Sequence, residues 1–268
     1  MKKEGPIVIA VTHSTHLLSN RGQLKITNNS SKTIRLLRRI GEQEVGFEFR
    51  ETVGRLPRVK GIEDIPWLTS QRYAKSTYRR ARRIKLEGGS QKAINISLLD
   101  GGYYQSRLTR FAFLFNEFLF SHEGRANPAN EHIHENFGKF VESAKARKYV
   151  HKTDFAAIQQ IKDLILNYCE THHSDLGDIY DALSYQRSLE MLQEAKRRKL
   201  GVIVVGASHG SDLKRLGYRT YYAVNTDAKK HGNKLLDVMR INRGARWRAS
   251  NYRAHLPLIR QMVLAAKS

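Results

Sequence analysis

Two histidines stand in matching surroundings near opposite ends of the chain. Ile7-Val8-Ile9-Ala10-Val11-Thr12 is an apolar run that ends in His13, with His16 three residues on. Val202-Ile203-Val204-Val205-Gly206-Ala207-Ser208 leads in the same way to His209, with Asp212 three residues on. Imidazole is the commonest transition-metal ligand, and a strand terminus holds its backbone firmly enough to fix a coordination geometry. Glu48 adds a carboxylate inside the strand-like run from Val45 to Phe49. It could ligate a metal or act as a general base, or simply face water. Arg187 lies on the long helical stretch just before the second apolar run, where a guanidinium could stabilise a developing oxyanion, clamp a carboxylate or stay solvated. Together these types could hold a divalent transition metal through His13 and His209, with His16 as an outer ligand.

Those side chains can meet only if two distant segments become neighbours. Each apolar run is short, β-branched and bounded by Gly or polar residues, which is the pattern of a buried parallel strand. Polar residues just past such strands sit at the carboxyl edge of the sheet, where open α/β folds place ligands. Further strands are read at 44–49, 92–99 and 218–224, and Leu17 to Asn29 reads as a polar loop. Helices are read at 32–40, 68–86, 103–121, 131–147, 153–171, 175–199, 210–216 and 253–267, with Asp154 and Asp175 as N-caps or first-turn acids. The fold class that follows is α/β: a mostly parallel central sheet flanked by helices, with a helical insertion over about 103–199. Residues 1–225 form that domain, and 226–268 form a basic C-terminal extension packed on or beside it.

Other candidate clusters are poorer. His122 with His132 and His134, and His172 and His173 with Asp175, follow no recognised metal spacing such as His-Glu-x-x-His. No Walker A loop and no Gly-x-Gly-x-x-Gly is present. Cys169, the single cysteine, lies in an apolar helical run and reads as a small core residue, in a reducing compartment such as the cytoplasm. No run approaches the length of a membrane span, and the N-terminus lacks the pattern of a secretory signal.

The motifs resemble those of the TraB/TIKI superfamily, which includes TIKI metalloproteases, erythromycin esterases and ChaN-like haem-binding proteins. The resemblance rests on Gly206-Ala207-Ser208-His209, on Ala10-Val11-Thr12-His13 with Ala in place of Gly, and on Glu48 in Gly46-Phe47-Glu48. Arg187 followed by Met191, and the step from Leu213 to Tyr218, also fit. It spans roughly residues 7–224 and departs at His16, the basic 71–85 stretch and the tail after 225. It implies metal-assisted hydrolysis of a peptide or small ester substrate, or metal or haem carriage without catalysis.

Charge points to a second role. Lys and Arg number 47 against 25 Asp and Glu, a formal net charge of +22 that favours polyanionic partners. The basic residues concentrate at Arg79, Arg80, Arg82 and Arg83, and again at Arg243, Arg246, Arg248 and Arg253 around Trp247. Arginines interleaved with a flat aromatic suit RNA or DNA, through phosphate contacts and stacking. Gly244 is expected to keep part of that tail irregular.

Overall fold

The structure, a computed structural model, describes residues 5–11, 14–16, 25–27, 36–37, 39–40, 44–47, 95–98, 107–108, 111–112, 114–115, 118–119, 132–143, 154–223 and 234–268. It is an α/β fold. The strands are β1 (Ile7–Val11), β2 (Ser14–His16), β3 (Lys25–Thr27), β4 (Glu44–Phe47), β5 (Asn95–Leu98), β6 (Val202–Gly206) and β7 (Thr220–Ala223). Five of them form one sheet in the order β5-β4-β6-β1-β7, and every pairing in it is parallel. The two apolar runs of the sequence are direct neighbours at its centre, in register from Ile7 opposite Val202 to Val11 opposite Gly206. β2 and β3 pair antiparallel as a separate ribbon, so the stretch read as a polar loop after Leu17 contains a short strand.

Among the described residues the helices are α1 (Ile133–Glu142), α2 (Phe155–His172), α3 (Leu176–Arg197), α4 (Ala207–Arg215), α5 (Lys234–Ala254) and α6 (Leu256–Ala265). Residues 36, 37, 39 and 40, and those described between 107 and 119, are also helical. The helix read at 68–86 lies outside the described residues. α5 runs straight through Gly244 and is a correction: no irregular stretch surrounds that glycine. A single Gly inside a helix costs only about 1 kcal/mol, which the rest of the helix outweighs.

The chain divides into two compact units, residues 1–99 with 188–246 and residues 100–187 with 247–268. In the sheet unit, alternation sends Val8, Ile203 and Val205 to one face, where they pack with Met191, Leu192 and Ala195 of α3 and with Leu213 and Tyr218. Ile9, Val45, Val202 and Val204 occupy the opposite face and are also buried. In the helical unit, Phe111, Phe115, Phe118 and Phe137 form an aromatic cluster with Phe115 and Phe137 centroids 4.8 Å apart. Leu258, Ile259 and Met262 of α6 belong to that same core. Apolar residues of the C-terminal segment complete the core of the insertion, and the last turns of α3 belong to the sheet.

Helix ends set where the central strands begin. α4 closes with a Schellman arrangement: Tyr218 N–H donates to Leu213 C=O at 3.1 Å and Gly217 N–H to Lys214 C=O at 3.0 Å. Gly217 takes the positive φ of 96° that this turn requires. α3 closes in the same way, Leu200 N–H to Ala195 C=O at 2.9 Å and Lys199 N–H to Lys196 C=O at 3.0 Å, but with Lys199 at φ 54°. Of the two acids read as N-caps, Asp175 accepts the Gly177 N–H at 2.6 Å. Asp154 stands at the N-cap position of α2 without capping it and instead accepts from Arg107 Nε at 3.2 Å.

Candidate active site

Three strands that sit side by side, β4, β6 and β1, run parallel and end at one edge of the sheet. Their last residues are Phe47, Gly206 and Val11. The segments that continue from them begin with Glu48, Ala207-Ser208-His209 and Thr12-His13. In strand order β1 is followed across β6 by β4, and β6 is followed across β1 by β7. Crossovers that depart in opposite directions from neighbouring parallel strands mark a topological switch point, the place where such sheets take ligands. His13 and Glu48 lie outside the described residues. His16 closes β2, opposite Lys25 in the small ribbon.

His209 is the described member of this set. It lies in the first turn of α4, which starts directly at Ala207 after Gly206, so the residue is helical and not strand-terminal as the sequence suggests. Gly210, inside the helix as read from sequence, has close packing as its role. A Cβ on Gly210 would come 2.3 Å from Ala10 Cβ, so α4 lies directly on β1. Its helical spacing puts His209 and Asp212 on one face, three residues apart. Between them sits Ser188 of α3. Its hydroxyl donates to Asp212 Oδ2 at 2.7 Å and lies 2.8 Å from His209 Nδ1.

A hydroxyl has one proton. With that proton given to Asp212, the bond to the imidazole must run from Nδ1–H to Ser188 Oγ. The uncharged ring then carries its in-plane lone pair on Nε2. Ser188 and Asp212 are fully buried and His209 is 6% exposed, so this chain of bonds is held inside the core. The three residue types are those of a hydrolytic triad, but the connectivity is not. In a nucleophilic triad the histidine stands between serine and carboxylate, whereas here the serine does. Ser188 therefore orients the ring and is not placed as a nucleophile. Nearby, Ser211 Oγ bonds Tyr222 OH at 2.8 Å. Burial pushes the Tyr222 phenol above its ordinary value, Asp212 adds to the shift, and the Ser211 bond opposes it.

The sequence reading identified His209 and the spacing of Asp212 but missed Ser188. The i, i+3 pair on one helix was visible; the partner from α3 was not, because nothing local marks it. Arg187, the residue before Ser188, is buried on α3. Adjacent helical residues project about 100° apart, so Arg187 does not share the Ser188 direction. Among the described residues no three His, Cys, Asp or Glu come together as metal ligands. Cys169 is buried in the helical core, and burial pushes its thiol up to about 12, as a core residue and not a nucleophile.

No family model matches the chain, and no characterised protein or solved structure matches it. Among the described residues no helix is long and apolar enough to cross a membrane.

The basic residues proposed for nucleic acid separate into groups. Arg79, Arg80, Arg82 and Arg83 lie outside the described residues. On α5, Arg243, Arg246, Trp247 and Arg253 are exposed. Arg248 is a correction: it is 8% exposed, because it falls on the inward side of the helix with Ala245 and Ala249.

Proposed function

We propose that the chain is a metal-dependent hydrolase acting on peptide or small ester bonds, in the manner of the TraB/TIKI superfamily that its motifs resemble. One observation carries the reading. β4, β6 and β1 are parallel neighbours, so the segments opening with Glu48, with Ala207-Ser208-His209 and with Thr12-His13 leave the sheet from one edge. The donor chemistry fits a metal. A ligating histidine commonly has its second nitrogen tied to a carboxylate or other acceptor, and His209 Nδ1 is tied through Ser188 to Asp212.

In this reading His13 and His209 hold a divalent transition metal, and His16 is an outer ligand. The metal, when bound, supplies Lewis-acid polarisation of the scissile carbonyl. Ser188 and Asp212 keep the His209 ring in one tautomer and one orientation. Glu48 is a ligand or takes up a proton as general base.

Elemental analysis of untagged protein purified after exposure to zinc, manganese or cobalt tests the assignment. Wild type is expected to retain stoichiometric metal, while His13→Ala and His209→Ala lose it. Equal metal in all three overturns it. Metal retention without turnover of any peptide or ester by wild type would leave carriage as the function in place of catalysis.

A further inference from the structure

We infer that the outward face of α5 is a binding surface for single-stranded nucleic acid. The face is a property of this one helix. Arg243, Arg246, Trp247, Ser250 and Arg253 follow one another at i, i+3, i+4, i+7 and i+10, which puts them on a common side, and all five are exposed. Ala245, Arg248, Ala249 and Asn251 occupy the other side and are buried. From Arg243 to Arg253 the helix rises about 15 Å, at about 1.5 Å per residue. Charge and aromatic surface are thus sorted onto the side that meets solvent, and no acidic residue of α5 interrupts them between 243 and 254.

Three features select the occupant. First, among the described residues none of Arg243, Arg246 and Arg253 has a carboxylate in an ion pair, so three guanidinium groups are presented to an incoming anion. Second, Trp247 is 61% exposed yet held in place: its Nε1–H donates to Asp178 Oδ1 at 3.1 Å, and Asn251 Nδ2 donates to the same oxygen at 2.8 Å. That bond lies in the plane of the indole and fixes the ring by its edge, so its faces can take a flat partner at little further ordering cost. Third, the chain as a whole carries +22. Guanidinium groups recognise phosphates and an ordered indole stacks on a base. A duplex buries its base faces in the stack, so a rigid exposed indole adds affinity only for an unpaired strand. The inference does not depend on the reading of the site at the sheet edge.

The experiment uses the full-length protein and a fluorescently labelled 12-nucleotide thymidine oligomer, followed by anisotropy at about 50 and 200 mM salt. C-terminal truncation is unsuitable, because α6 completes the core of the helical unit. Trp247→Ala is expected to weaken binding roughly 5- to 100-fold, the range of one lost stacking contact. Trp247→Phe keeps a flat ring but loses the bond to Asp178, so its affinity should fall between wild type and Trp247→Ala, and both variants should remain cooperatively folded by urea unfolding. Changing Arg243, Arg246 and Arg253 together to Gln should make the slope of log affinity against log salt shallower by about 2, at about 0.7 per phosphate contact. Wild-type affinity in Trp247→Ala overturns the inference, as does no association at the lower salt. A 12-base-pair duplex binding as tightly as the single strand would reduce the surface to an unselective basic face. Poly-glutamate binding more tightly would assign it to an acidic protein partner.

Discussion

Replacing Gly210 by Ala measures how firmly the helix that carries His209 is seated on the sheet. The new methyl group would sit 2.3 Å from Ala10 Cβ and 3.1 Å from Ala10 Cα, where ordinary carbon contacts begin at 3.4 Å. Neither neighbouring atom is the end of a flexible side chain, so α4 or β1 must shift by roughly 1 Å. Overpacking of that kind costs roughly 1–3 kcal/mol, and the upper half of the range applies because the obstacle is backbone-attached. Against this, Ala gains about 1 kcal/mol over Gly inside a helix. The net expectation is a loss of about 1–2 kcal/mol, read as a lower urea midpoint at unchanged slope. Ala10→Gly removes the obstructing methyl, so the double variant should be more stable than the sum of the two single changes by roughly 1–2 kcal/mol. Because Gly210 follows His209 directly, the imidazole NMR signals of His209 should shift in Gly210→Ala and return in the double variant. A Gly210→Ala protein as stable as wild type, or strictly additive effects, would refute the close approach of α4 to β1.

The remaining expectations concern other parts of the chain. Lys199→Gly should raise stability by about 0.5–1 kcal/mol, because Lys199 holds the left-handed C′ position of α3 at φ 54°, a conformation costly for a residue with a Cβ; urea unfolding reads it. Asp154→Ala should cost about 3–5 kcal/mol in the same assay, because it removes the carboxylate from the buried Arg107 guanidinium, 3.2 Å away. His255 should make stability depend on pH below about 6.5, the ordinary histidine value. Its imidazole is held below that value first by burial and then by His172, with Asp178 opposing and Tyr168 OH 3.4 Å from Nδ1. The unfolded chain therefore binds the proton first, so the stabilisation is whole above that pH and is lost as the pH falls toward the folded value. Wild type should lose more stability than His255→Gln between pH 7.5 and 5.5, and equal losses would remove His255 as the cause.

The sequence alone determined the two central strands, because β-branched runs between glycines leave little choice but burial in a parallel sheet. It also determined the matching histidines that follow them, the core character of Cys169 and the N-cap at Asp175, all of which are local facts. The adjacency of β1 and β6 was decided by the tertiary structure, since inserting β6 between β4 and β1 depends on crossovers that no short pattern records. The glycine signal misled at Gly244. A glycine looks like a stop signal in isolation, yet at 244 the helix outweighs its cost; what the sequence did not show is that Gly210 is demanded by the approach of α4 to Ala10. Ser188 could not be recognised as the partner of His209 and Asp212 from its own neighbours, because it reaches them from a helix 21 residues earlier in the chain. Nor could charge composition separate Arg248 from Arg246 and Arg253. All three are equally basic in sequence, and only the direction of each side chain on α5 turns one inward and two toward solvent.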